Sequence, residues 1–208
     1  MKAYFTCIRN TQTVLLTVAI ILLSTLPSAL VITPQWFSEA TYAWLYAVAH
    51  FTLFLVMVVR PLADILPSIT WVRPLVILRK GVGVLSASIV VSFILAKVIA
   101  DASGYVSGML TVEYWSLYNL ALLAHLADIS AILLLVTSNN YSKRVLGKNW
   151  KRIQRLSYVY FYGSGVYVYV ILDETIALYY LAIVTFVTLL AWMRNHGVFV
   201  RSSTMQTT

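Results

Sequence analysis

Apolar runs of membrane-spanning length fill most of this chain and leave little between them. They lie at about residues 13–32, 41–62, 83–102, 113–136, 156–172 and 175–192. An α-helix needs about 20 predominantly apolar residues to cross the roughly 30 Å hydrocarbon core of a bilayer. Lipid offers no hydrogen bonds to the backbone, so each run must satisfy its own peptide groups, as a helix does. The expectation is an all-α bundle of six transmembrane helices forming one domain over residues 1–208. Composition points the same way. Of the 208 residues, 61% are hydrophobic and 11% charged, too few charges to cover a soluble surface. The first run follows Lys2 and Arg9, as a signal peptide would. It is long for an h-region, contains Pro27 and precedes five further runs, so it is read as a retained helix.

The charges set the topology. With the N-terminus inside, every lysine and arginine except Lys97 falls on the inner side, from Lys2 and Arg9 through Arg60, Arg73, Arg79 and Lys80 to Arg194 and Arg201. Glu39, Asp101, Glu113, Asp173 and Glu174 fall outside. This is the positive-inside pattern, and it predicts a multi-pass protein of the cell inner membrane with both termini cytoplasmic. The net charge of +8 is thus topological and does not imply nucleic acid. Asp173 and Glu174 leave room only for a tight turn, so the last two helices should form an antiparallel hairpin. The segment 141–155, with Lys143, Arg144, Lys148, Trp150, Lys151, Arg152 and Arg155, reads as an interfacial anchor on anionic lipids or a docking site for other membrane protein subunits.

Chemistry is sparse. The single cysteine, Cys7, excludes an intrachain disulfide, a CxxC pair and a thiolate cluster. No phosphate loop, hydrolase triad or metalloprotease spacing is present, so no catalytic residue is assigned. Two histidines fall inside apolar runs, His50 and His125, at depths of roughly 13 Å and 18 Å below the outer ends of their helices. They could bracket a planar cofactor, with Asp128 one turn beyond His125 holding a ring N–H. Packing is the plainer role for both, and a small proton-coupled transporter using His125 and Asp128 is a further alternative. In the fifth run Tyr158, Tyr162 and Tyr167 surround Gly163 and Gly165, a pattern suited to close helix packing or to contact with a pigment, quinone or haem.

Two stretches carry a family likeness. VRPLVILRKGVGVL at 72–85 and TSNNYSKRVLGKNWKRIQRLSYV at 137–159 resemble the ferric-reductase-like transmembrane domain family. The nearest likeness is to the haem-binding membrane subunit of the periplasmic methionine sulfoxide reductase system. That resemblance implies a six-helix fold in which histidines hold haem b for electron transport. The histidine beyond the family's basic pair falls here on Phe93, the one after Leu-Gly-x-x-Trp on Gln154, and the one a helix-span further on Tyr167. None of the three can rebuild a bis-histidine electron carrier. The sequence therefore favours a non-catalytic accessory subunit of a respiratory or photosynthetic membrane complex, without cofactor. The alternative is a b-type haem protein whose ligands have moved to His50 and His125.

Overall fold

The computed structural model describes residues 2–117 and 120–196. Tyr118 and Asn119, within the run at 113–136, and Arg201 lie outside them. Every regular element among the described residues is helical. The long helices are α1 (Lys2–Ile32), α2 (Glu39–Ile65), α4 (Leu78–Ala100), α6 (Ala121–Thr137), α9 (Leu156–Ile171) and α10 (Thr175–Asn195). Short helices α3 (Val72–Leu75), α5 (Ala102–Met109), α7 (Asn140–Leu146) and α8 (Lys148–Gln154) join them, with 3-10 turns at Pro34–Trp36 and Glu113–Trp115. By length and composition α1, α2, Val72–Ala100 and α10 can each cross a membrane, and α6 with α7 makes a fifth candidate bent by 98°. The chain is thus a multi-pass membrane protein with four or five such segments among the described residues.

The large exposed residues fit a lipid solvent. Ile176, Tyr179, Ile183, Phe186 and Leu189 cover much of α10, and Val14, Val18, Ile20 and Ile21 line α1. Apolar surface this extensive requires hydrocarbon or another protein against it. Helix α4 is central: 56% of its spanning window is buried, against 17–22% for the other three segments. One face of α4 packs on α1 and α2 through Ala19, Leu26, Ala49, Leu85, Ile89 and Phe93. A second core joins α2, α4, α6, α9 and α10 through Leu53, Met57, Ala131, Phe161 and Val184. Small residues make the close approaches. A Cβ on Gly81 would stand 3.1 Å from the Cβ of Leu15, and one on Gly163 would stand 3.0 Å from the carbonyl oxygen of Leu123.

Two pairs of polar side chains bond across helices. Ser86 Oγ donates to the Ala49 carbonyl at 2.8 Å and lies 3.1 Å from the Tyr160 hydroxyl. Because Ser86 has spent its only proton on Ala49, the Tyr160 hydroxyl donates to Ser86. Likewise Thr185 Oγ1 donates to Leu181, so the Tyr162 hydroxyl, 2.9 Å away, donates to Thr185 and ties α9 to α10. Tyr162 and Gly163 thus serve packing, as does Gly165 against Leu181, while Tyr158 is exposed. At the loops, Ser38 caps α2 through the Thr41 N–H and Asn139 caps α7 through the Ser142 N–H. Asp101 caps α5, and the Gly104 N–H and Ser103 hydroxyl hold its carboxyl below the usual carboxylate range.

Three element boundaries differ from the sequence expectation. Helix α1 runs back to Lys2, because residues 2–12 are helix-compatible although too polar to register as an apolar run. The run at 113–136 splits into a 3-10 turn at Glu113–Trp115 and α6, which starts only at Ala121, after Leu120 in the left-handed region at φ 52°. The basic segment 141–155 forms two short helices that meet at Gly147, whose φ of 49° favours glycine. The hairpin turn is as tight as expected, with Asp173 at φ 54° between α9 and α10.

Candidate functional site

Helix ends bring the basic residues together at one end of the bundle. The last turns of α2 and α6, the first turns of α4 and α9, and the short helices α7 and α8 enclose a cavity of about 630 Å³. Its cationic lining is Arg60, Arg79, Lys80, Lys143 and Lys151, and no acidic side chain is among the lining residues. Arg60 lies 3.6 Å from Asp64 on the exposed side of α2. The Nε of Arg79 donates to the Val56 carbonyl at 2.9 Å, which fixes the guanidinium at the α2–α4 contact. Leu53, Val56, Val84, Ala87 and Leu134 supply apolar wall, and Tyr160 also lines the space.

Most neutral polar groups of this lining are already engaged. Trp150 Nε1 donates to the Thr137 carbonyl at 3.0 Å, docking α8 onto the end of α6, and Lys143 Nζ lies 5.4 Å from the Trp150 ring centroid. Ser138 donates to Leu134, and the Asn139 side-chain amide donates to Val136. Gln154 differs: its Nε2 is buried without a hydrogen-bond partner. Of the basic residues expected to act together, Lys143, Trp150 and Lys151 line the cavity. Arg144, Lys148, Arg152 and Arg155 do not, and all four are exposed. Sequence reasoning assigned Arg60, Arg79 and Lys80 to topology, and the Arg79-Lys80 pair also to the family likeness, but none to a site. Their convergence was signalled only by the antiparallel order of the helices, which puts the end of α2 beside the start of α4.

Among the described residues, no hydrogen bond or ring contact joins His50 to His125. Helices α4 and α9 each pack on both α2 and α6. His50 lies about 16 Å from the start of α2 along its axis, whereas His125 lies only about 6 Å from the start of α6, at 1.5 Å per residue. The late start of α6 accounts for this difference in position along the two helices. His50 Nδ1 is 2.9 Å from the Tyr46 carbonyl, one turn back in its own helix. His125 instead turns toward the connecting segment, where Tyr114 stacks on it with centroids 3.4 Å apart and planes 5° from parallel. Trp115 meets the same ring edge-on at 5.9 Å and donates from Nε1 to Met109. Burial, with a hydrogen bond involving Tyr105, raises the Tyr114 phenol above its ordinary value. No hydrogen bond joins Asp128 to His125, so the expected carboxylate support is absent, although Lys97 lies within electrostatic range of both.

The residues at the family's haem positions divide between two levels. Phe93 is 8% exposed and stacks on Tyr46 with centroids 4.5 Å apart and planes at 9°, with Tyr42 at 6.1 Å. Tyr167 is half-buried on α9. Gln154 sits at the other level, in the basic cavity. These three side chains do not fit bis-histidine haem, since Phe93 and Gln154 offer iron no suitable nitrogen and Phe93 is committed to a ring stack. The histidines that do retain a buried nitrogen without a hydrogen-bond partner are His50, at Nε2, and His125, at Nδ1. No group of three or more His, Cys, Asp or Glu suited to a metal ion exists among the described residues. No family model, no curated protein and no solved structure matches the chain.

Proposed function

We propose that this protein is a non-catalytic accessory subunit of a larger membrane assembly, respiratory or photosynthetic, built on a ferric-reductase-like core without haem ligands. The observation that carries this reading is Phe93. At the position where the resembled family holds haem, a buried phenylalanine stacks on Tyr46 at 4.5 Å and occupies the space with carbon. The wide apolar surface of α1 and α10 supports it, because partner subunits as well as lipid can cover such a surface. In this reading α6 and α9, of 17 and 16 residues, also cross, each reaching about 25 Å. Six crossings then put both termini on the basic, cytoplasmic side of an inner membrane.

A second reading is an electron-transfer subunit with haem b on His50 and His125. It is favoured by the buried, unpartnered ring nitrogens at Nε2 and Nδ1, which is the state an axial ligand needs. One preparation distinguishes the two hypotheses. Purified protein is expected to show no stoichiometric Soret band and to travel with other membrane subunits. A stoichiometric Soret band lost in both His50→Ala and His125→Ala would overturn the accessory-subunit reading and establish the second.

A further inference from the structure

We propose that the basic-end cavity is a specific binding site for the phosphate headgroup of an anionic phospholipid. The inference rests on the multi-pass character of the chain and not on the loss of haem, so it stands or falls separately from the accessory-subunit reading.

The cavity contains what such a ligand requires. Five cations reach it from α2, α4, α7 and α8 with no carboxylate in the lining; Arg60 is paired with Asp64, and Arg79, Lys80, Lys143 and Lys151 form no ion pair among the described residues. Cations gathered at a protein–lipid interface attract anionic headgroups. Among the neutral groups nearby, Asn139 Oδ1 already accepts from the Ser142 N–H, and the Ser138 hydroxyl and Asn139 amide donate to their own helix end. The unsatisfied group is a donor, the Gln154 amide, buried in the cavity lining. A ring of donors and cations missing an acceptor calls for an oxyanion, and phosphate offers several charged oxygens at once. The volume of about 630 Å³ falls within the roughly 300–1,000 Å³ of small-molecule sites. The remaining wall is apolar, from Leu53, Val56, Val84, Ala87 and Leu134. Free phosphate would leave that wall wet, whereas the upper part of an acyl chain would cover it. The shape of the chemistry therefore selects an amphiphile over a soluble ion.

The basic segment supplies its own control. Lys80, Lys143 and Lys151 line the cavity, while Lys148, Arg152 and Arg155 lie close by in sequence and do not. Two full-length variants, K80Q/K143Q/K151Q and K148Q/R152Q/R155Q, remove the same charge. Each is titrated in detergent with phosphatidylglycerol, phosphatidylcholine and inorganic phosphate and read by native mass spectrometry. The lining variant is expected to bind phosphatidylglycerol at least about tenfold more weakly, and the control to lose less than about twofold. Phosphatidylcholine should bind weakly to all, and inorganic phosphate should not displace phosphatidylglycerol at comparable concentration. Equal losses in the two variants would overturn the proposal, because the attraction would then belong to the segment's general field. Displacement by inorganic phosphate would overturn the lipid assignment. Should the lining variant fail to fold, Gln154→Leu keeps every charge and is expected to weaken phosphatidylglycerol binding by about threefold or more, the worth of one hydrogen bond. Unchanged affinity in that variant would equally sink the site.

Discussion

The Ser86–Tyr160 pair makes an asymmetric prediction about stability. Ser86 Oγ donates to Ala49 on α2 at 2.8 Å and accepts from Tyr160 on α9 at 3.1 Å, all within a buried part of the bundle. Replacing Ser86 by alanine removes both bonds. The Ala49 carbonyl still has its place in the α2 ladder, so that loss costs about 0.6 kcal/mol, the average for an interhelical bond in a membrane protein. Tyr160, at 3% exposure, would keep an O–H with no partner, adding about 1–3 kcal/mol. The expected total for Ser86→Ala is about 1.6–3.6 kcal/mol. Tyr160→Phe is milder, because Ser86 retains Ala49 and the ring keeps its volume; about 0.5–1 kcal/mol is expected. The double variant should be more stable than Ser86→Ala alone by about 1 kcal/mol, since it no longer contains the orphaned hydroxyl. Reversible unfolding in mixed detergent–SDS micelles, followed by circular dichroism, measures all three. Additive costs, or Tyr160→Phe as damaging as Ser86→Ala, would refute the reasoning and assign the phenol another partner.

Two further outcomes test the helix packing and the orientation. Gly165→Ala would place a Cβ 2.8 Å from Leu181 Cδ2, and Gly163→Ala one 3.0 Å from the Leu123 carbonyl oxygen, yet the second is expected to cost more. A leucine methyl can rotate away and leave the helix-propensity gain of about 1 kcal/mol, whereas a helix carbonyl cannot, and overpacking costs about 1–3 kcal/mol. The same unfolding assay should find Gly165→Ala near neutral and Gly163→Ala destabilised by about 1 kcal/mol; the reverse order would contradict the α6–α9 contact. The sole cysteine, Cys7, is exposed in the first turns of α1, whose 31 residues span about 46 Å and overreach the bilayer core. If the basic end is cytoplasmic, a membrane-impermeant thiol reagent should label Cys7 in inverted vesicles and not in intact cells. Labelling in intact cells would reverse the orientation.

What the sequence disclosed followed the physical range of each signal. Apolar runs reveal helices because burial in lipid is decided residue by residue, and the tight turn at Asp173 followed from the two residues available to it. Helix starts were less legible. Hydropathy does not register the polar first turns of α1, and nothing in Ser116–Leu117 marks the break that delays α6 to Ala121. That single delay moved His125 toward Tyr114 and Trp115, an aromatic cover that only the fold brings into place. The cavity was hidden for a different reason. Its cations come from four helices, and each, read alone, is an ordinary flanking charge.

The two levels of the bundle close by different physics, which bears on what each can accept. Around Phe93 the neighbours are rings, and rings attract one another: Tyr46 stacks on Phe93, and Tyr42 packs alongside. Around Gln154 the neighbours are Arg79, Lys80, Lys143 and Lys151, which repel. Helices carrying these groups cannot draw together without forcing like charges into a less polar medium, and apolar walls beneath them give the charges no counter-ion. The basic level therefore resists collapse for the same reason that it attracts an anion. Anything that binds the folded state alone stabilises it by mass action. Anionic lipid should accordingly raise the unfolding midpoint of the wild type and do so far less for K80Q/K143Q/K151Q, in which the repulsion and the attraction disappear together.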